Sequence, residues 1–101
     1  MAVIVDFVVP GATPEQMYQV EALTQERGKA VGRPPFTGCM FIAATAIASG
    51  FRFVSAWRGE ADFRAVLEDM LGPDLASVGL SAADIQTSSV FSMAIPGALS
   101  G

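Results

Sequence analysis

The sequence predicts an α+β fold in which strands and helices follow the order β-α-β-β-α-β, with both helices on one face of a four-stranded antiparallel sheet. Two observations lead to this prediction. Within residues 50–75, apolar residues first alternate and then recur every three or four positions, which indicates a strand that leads directly into a helix. Residues 13–16 read Thr-Pro-Glu-Gln, a helix start with Thr as N-cap, Pro in the first turn and Gln three residues after the cap.

The first half of the chain contains a strand, a helix and a long connection. Residues 2–9 are rich in Val, Ile and Phe and end at a Pro-Gly turn, so they are predicted as a strand. The first helix is expected to run from Pro14 to about Arg27, with Gly28 as its C-terminal stop. Residues 28–38 carry three glycines and a Pro-Pro pair, which indicates a loop, or a stiff lid over a cleft.

The second half supplies the remaining three strands and the second helix. Residues 39–48 form a strand that is apolar on both faces, so we expect cover on both of its sides. Ser49-Gly50 is the expected hairpin into the next strand. The second helix begins at Glu60 and is expected to end at Gly72-Pro73, while residues 85–95 are predicted as the last strand.

The length and composition predict one domain that pairs with a copy of itself. A chain of 101 residues holds a single small core. Hydrophobic residues make up 51% of it and charged residues only 16%, which is apolar for a small monomer. Since both helices cover the same face of the sheet, the bare face is expected to form a homodimer.

Composition also argues against several function classes. A net charge of −4 with only six Lys and Arg does not favour nucleic acid. The longest apolar run, residues 39–48, is far short of a membrane span, and the start of the chain lacks the basic residues of a signal peptide. The single cysteine fits a reducing cytoplasm, and without histidine no conventional zinc, non-haem iron or His-ligated haem site is expected.

In the order and spacing of these pieces the chain resembles the antibiotic biosynthesis monooxygenase-like proteins, a superfamily of ferredoxin-like dimeric α/β barrels. The resemblance covers nearly the whole chain. It depends on Pro10-Gly11 before the helix start, on the strand from residue 50 to Trp57, on Phe63, and on residues 71–73, Leu-Gly-Pro. It implies a homodimer with a ligand cleft between the sheet and the helices of each protomer. Some members oxidise polycyclic aromatic polyketides with no metal or flavin, and we expect no cofactor here.

The sequence also departs from the family pattern. Similar short proteins often carry histidines at positions that correspond to Ile42 and Phe91, and both are apolar in this chain. Chemistry that relies on those histidines does not carry over, and the cleft is expected to be more apolar.

Asp6 and Arg52 are the predicted catalytic residues. Asp6 lies within the first predicted strand, where burial would raise the pKa of its carboxyl group toward values useful for a general base. Arg52 lies on a strand next to an aromatic face and is a candidate for holding an enolate or carboxylate of a ligand. The alternatives are that Asp6 points outward or pairs with an arginine across the sheet, and that Arg52 forms a structural ion pair or faces solvent.

Several apolar and aromatic residues are predicted to bind the ligand, with ordinary packing as the alternative for each. Tyr18, the only tyrosine, could donate a proton to a ligand oxygen, and Met40 could add an adaptable surface. The remaining candidates are Trp57, Phe53, Phe91 and Ile42.

The sequence and the resemblance together favour a cofactor-free enzyme that acts on an apolar, polycyclic or polyketide-like molecule, with monooxygenation as the first expectation. An isomerase or cyclase of the same substrate class is the alternative within enzymes, because a shaped apolar pocket also lowers the entropic cost of ring closure. A protein that only binds a small molecule is the alternative from another class.

Overall fold

The computed structural model describes residues 1–32 and 36–93. The strands are β1 (Val3–Pro10), β2 (Cys39–Ile47), β3 (Gly50–Trp57) and β4 (Ala83–Ser89). The helices are α1 (Pro14–Val31), α2 (Glu60–Val66) and α3 (Gly72–Ser77), and a π-helical segment (Leu67–Leu71) joins α2 to α3. The strands form one antiparallel sheet in the order β2-β3-β1-β4. The predicted ferredoxin-like βαββαβ fold is confirmed.

Three predictions concern residues that lie partly or wholly outside the described ranges. The Pro-Pro pair at residues 34–35 of the predicted lid lies outside the described residues. So do the last two residues of the strand predicted over 85–95 and the tail expected from residue 96. Within the described ranges β4 covers Ala83–Ser89, so it begins and ends earlier than predicted and Phe91 lies beyond it.

The core lies between the sheet and the helices, and strand alternation decides which residues enter it. Val5, Phe7 and Val9 of β1 are completely or almost completely buried on this side. Phe7 stacks on Phe53 of β3, with ring centroids 5.0 Å apart, and Phe63 of α2 packs against Phe7 from the helix layer. The intervening residues of β1 belong to the other face of the sheet, which no element covers among the described residues.

Helix α1 begins as predicted but ends later. The Thr13 hydroxyl accepts a hydrogen bond from the Gln16 backbone N–H at 3.2 Å, and the Gln16 side chain accepts one from the Thr13 N–H at 3.0 Å. The stop predicted at Gly28 is wrong, since the helix continues to Val31. A glycine ends a helix where the backbone turns left-handed, and this happens at Gly32, with φ of 69°.

The stop predicted at Gly72-Pro73 is also wrong, because the backbone stays helical through both residues into α3. A proline inside an α-helix clashes with the carbonyl four residues earlier. Here the wider π turn precedes it, and the Gly72 N–H donates to the Leu67 carbonyl five residues back. A Cβ at Gly72 would lie 2.6 Å from that oxygen, so this close approach requires glycine. The helix layer therefore reaches Ser77 and brings Asp74 and Leu75 into the core.

Strand β2 lies at the edge of the sheet and is largely exposed on both faces, so the described residues do not supply the cover expected on both of its sides. The core centres on β1 and β3, while one face of β2 looks toward α1 across an open space. Of the described helices, none is long and apolar enough to cross a membrane.

Candidate ligand-binding cleft

A cleft of about 470 Å³ separates α1 from the sheet. This volume is in the range of small-molecule sites, which are mostly apolar with a few polar groups. Four aromatic rings line it, those of Tyr18, Phe36, Phe51 and Phe53. Its lining from the sheet is Val9, Ile42, Ala44, Phe51 and Phe53. Its lining from α1 includes Met17, Tyr18, Val20, Glu21, Thr24 and Gln25.

Small residues on β2 help to keep this space open. Ala44 pairs with Phe53 across the sheet and Ala46 pairs with Phe51, so an aromatic ring on the inner strand faces a methyl group on the edge strand. Large side chains at the two alanines would extend over the same face of the sheet. The alternation of β3 and the short side chains of β2 therefore form one concave apolar wall.

The wall formed by α1 is anchored to α3 by a buried carboxylate. Asp74 is 1% exposed and accepts a hydrogen bond from the Thr24 hydroxyl at 2.8 Å. Arg27 donates to the other carboxylate oxygen through Nη2 at 2.6 Å and Nε at 3.2 Å. Hydrogen bonds to a charged group are stronger than neutral ones, and this group lies out of water. Asp74 thus fixes α1, and the Arg27 pKa is raised through the hydrogen bond to this carboxylate.

Three of the predicted ligand-binding residues line the cleft. Phe53 forms part of its floor, Ile42 stands on the β2 side with 38% of its surface exposed, and Tyr18 stands on α1 with 71% exposed. Their position is compatible with the predicted role, and contact with a ligand remains a prediction.

The other three predicted ligand-binding residues lie elsewhere. Trp57 is 1% exposed in the core, where its ring meets Phe63 edge-on at 5.5 Å and its indole N–H donates to the Ser55 hydroxyl at 2.8 Å. Met40 lies where the pairing of β2 shifts register and does not line the cleft. Phe91 follows β4 and is fully exposed. These placements correspond to the packing alternative for Trp57.

Solved structures resemble this chain over most of its length. The cofactor-independent oxygenase SnoaB from Streptomyces nogalater has a TM-score of 0.53 at 14% identity, with 91% of this chain and 93% of SnoaB covered. A Chloroflexus aurantiacus protein provisionally assigned as an antibiotic biosynthesis monooxygenase has a TM-score of 0.57 at 13% identity, covering 95% and 100%. This chain has the antibiotic biosynthesis monooxygenase-like fold.

A third similar structure is a dimeric ferredoxin-like protein of unknown function from Thermobifida fusca. It has a TM-score of 0.51 at 20% identity, with 87% of this chain and 88% of that one covered. No family model and no curated protein matches the sequence. The comparisons thus establish the fold, and the cleft between α1 and the sheet is the feature of this example that bears on function.

Asp6 and Arg52, the predicted catalytic residues, lie together on the opposite face of the sheet. Arg52 donates to both oxygens of the Asp6 carboxylate, from Nε at 3.1 Å and also from Nη2. This hydrogen bonding lowers the pKa of Asp6, so the raised pKa expected from burial was wrong. The carboxylate is about one-third exposed and has a guanidinium partner, which favours its charged form. The cross-sheet ion pair was the alternative reading, and it places both residues away from the cleft.

Apart from Tyr18, the polar residues of the α1 wall were not among those predicted from the sequence. Glu21 and Gln25 follow Tyr18 at intervals of three and four residues, so the three side chains share one face of the helix. This spacing was available in the sequence. It carried no information about a cleft, because polar residues beside an apolar stripe are typical of any helix on a protein surface.

Proposed function

We propose that this protein is a small enzyme that binds an apolar aromatic molecule of polycyclic or polyketide type and oxygenates it without a metal or an organic cofactor. The cleft carries the proposal: it has a volume of about 470 Å³, and its sheet wall is formed entirely by apolar side chains. The shared fold with SnoaB, a cofactor-independent oxygenase, supports the choice of reaction.

The proposed reaction requires a substrate that supplies its own electrons. A methylene group next to an aromatic ketone loses a proton, and the resulting enolate is rich enough in electrons to react with oxygen. One oxygen atom becomes a new carbonyl group, the other leaves as water, and both hydrogens of that water come from the methylene group. No external reductant is consumed. The protein's contribution is a dry cavity and hydrogen bonds to the developing oxyanion, for which the Tyr18 hydroxyl is a candidate donor.

Asp6 and Arg52 have no part at the cleft in this proposal. The sheet lies between them and the cleft, and the paired Asp6 carboxylate is a weaker base than a free one. Any catalytic role for the pair would need a second site on the other face.

Oxygen uptake tests the proposal. We expect the protein to accelerate oxygen consumption by an enolisable polycyclic ketone, with one O₂ consumed for each ketone oxidised. The control is the same substrate with the heat-denatured protein, which measures spontaneous oxidation. Uptake equal to this background for a range of such ketones would contradict the oxygenase assignment.

An isomerase or cyclase is the second candidate, and the apolar lining of the cleft favours it. A cavity with few polar groups can hold a flexible chain in a folded shape and so reduce the entropy lost on ring closure. Conversion of a substrate without oxygen uptake would indicate this reaction. Binding without conversion would indicate a protein that only carries or senses its ligand.

We also propose that the protein is a homodimer paired through the sheet face opposite the cleft, which we call the open face. This face carries Phe41 and Ile47, which are 40% and 37% exposed. A second copy would cover these two side chains. The single cysteine is compatible with the reducing cytoplasm, where we propose that the dimer works. A monomeric sedimentation coefficient at micromolar concentration would contradict the dimer.

A further inference from the structure

Among the described residues, the polar side chains that line the cleft all belong to α1. Thr24 lines the cleft, but its hydroxyl hydrogen is engaged by Asp74. The side chains left to meet a ligand are those of Tyr18, Glu21 and Gln25, all on α1. On the other side of the cleft, all side chains of the sheet wall are hydrocarbon. A ligand with a polar end and an apolar body is therefore oriented with its polar end toward α1.

Glu21 differs from its neighbours because it is the one acidic or basic side chain in the lining formed by the described residues. It is exposed, so its carboxylate lies where the cleft opens to solvent. Within the described ranges it forms no hydrogen bond and no ion pair, unlike Asp74, Asp6 and Glu60. Its oxygens are free to accept hydrogen bonds from a ligand.

We propose that Glu21 determines ligand specificity by accepting a hydrogen bond from a phenolic or enolic hydroxyl group of a neutral aromatic ligand and by repelling ligands that carry a carboxylate or phosphate. The inference rests on the proposed function in one respect, that an aromatic small molecule occupies this cleft. A hydrogen bond to an ionised acceptor is about twice as strong as a neutral one. The same negative charge raises the energy of a bound anion.

This specificity matches the chemistry of the proposed reaction. An enolisable ketone exists partly as its enol. The hydroxyl group of the enol can donate the hydrogen bond that Glu21 is placed to accept. A ligand anchored there lays its ring system against Phe51 and Phe53. In this role Glu21 binds and orients the ligand, so its substitution is expected to change the binding affinity of the ligand.

Three probes of similar shape test the inference: 2-naphthol, 2-methylnaphthalene and 2-naphthoate. Each is measured at neutral pH by equilibrium dialysis against the unmodified protein and against Glu21→Gln, which keeps the side-chain size and removes the charge. We expect Glu21→Gln to weaken 2-naphthol about fivefold, to leave 2-methylnaphthalene unchanged and to tighten 2-naphthoate.

Glu26→Gln is the matched control. Glu26 lies on the same helix, is 76% exposed, sits 3.9 Å from Lys29 and does not line the cleft. The Glu26→Gln substitution changes the net charge by the same amount as Glu21→Gln. Because Glu26 does not line the cleft, all three probe affinities should stay as in the unmodified protein. Equal changes for Glu26→Gln and Glu21→Gln would overturn the inference, since the effect would then come from overall charge.

The failures of the two proposals are distinguishable. If the probes bind and Glu21→Gln leaves the ratio of 2-naphthol to 2-methylnaphthalene affinity unaltered, the specificity role of Glu21 is overturned while the cleft remains a binding site. If no aromatic probe binds the unmodified protein at all, both the proposed function and the role of Glu21 are overturned.

Discussion

The two faces of the sheet use the same strands for different purposes. On the cleft face, Phe51 and Phe53 border an unfilled apolar space, and Glu21 on the opposite wall is the one carboxylate in the lining formed by the described residues. On the open face, their neighbour Arg52 neutralises Asp6 within the sheet itself. The cleft thus contains a carboxylate that is free to bind a ligand, whereas the two charges on the open face already neutralise each other.

Neighbouring residues of one strand therefore have unrelated roles. Arg52 and Phe53 are adjacent in sequence, yet the sheet separates their side chains. Ala43 and Ala44 of β2 divide in the same way, since Ala43 pairs with Val54 and Ala44 with Phe53. An experiment that changes one member of such a pair tests one face and leaves the other as its control.

The largest effect is expected from loosening the wall that only the cleft face has. Asp74→Ala removes the acceptor of the Thr24 hydroxyl, which then stays buried without a partner, and releases Arg27. We expect the free energy of unfolding to fall by about 2–3 kcal/mol in urea titrations. Aromatic probes should also bind more weakly because α1 is no longer fixed.

Glu68→Ala is the control for this variant, since Glu68 is exposed on the helix layer and takes no part in the contacts of Asp74 with α1. Its unfolding free energy should match that of the unmodified protein. If Asp74→Ala were equally stable, the buried carboxylate would not be what anchors α1.

The next effect separates the two faces directly. Ala44→Phe places a ring in the cleft, and we expect 2-naphthol to bind at least about tenfold more weakly. Ala43→Phe places the same ring on the open face, where it should leave 2-naphthol binding within about twofold and change the sedimentation of the proposed dimer. Equilibrium dialysis and sedimentation velocity on both variants give the four values. Similar behaviour of the two variants would mean that the faces do not act independently.

The smallest effect concerns the ion pair of the open face. The folded-state pKa of Asp6 lies below its usual value of 3.8, chiefly because Arg52 donates to the carboxylate. The pair therefore adds stability that is complete above about pH 4 and disappears as the pH falls through the folded-state pKa. Asp6→Asn should flatten this part of the stability curve, and the change should be small because the pair is partly exposed.

Unfolding curves from pH 6 down to pH 2 measure this contribution, with Asp69→Asn, an exposed acid of the helix layer, as the control. A curve for Asp6→Asn that coincides with that of the unmodified protein would show that the ion pair does not contribute.

The fold was predictable because its signals are local. The capping pair of Thr13 and Gln16 and the alternation of β3 each need only a few neighbouring residues. The two helix stops failed for a physical reason. Gly28 is buried and stays helical, so packing outweighs the weak helix preference of glycine there, and the left-handed turn comes at Gly32. Pro73 is tolerated inside a helix only because a π turn comes before it.

The candidate site was less predictable than the fold. Asp6 attracts attention in the sequence because it interrupts an apolar strand, but its partner Arg52 is 46 residues away and becomes visible only with the strand register. Alternation separates residues into two faces and gives no sign of which face the helices leave partly uncovered. Glu21 carries no distinguishing sequence feature, since the role proposed for it depends on the apolar wall that faces it across the cleft.

The exposed edge of strand β2 affects how readily newly synthesised chains aggregate. Its sequence, CMFIAATAI, contains no charged residue and no proline, and its outer edge has no neighbouring strand among the described residues. Charges and prolines on edge strands prevent other chains from adding to a sheet, and this edge lacks both. Protection from amyloid-like association must then come from what covers the strand or from low concentration. Overproduction should therefore favour aggregates that start at β2, and a lysine introduced there would act as a gatekeeper.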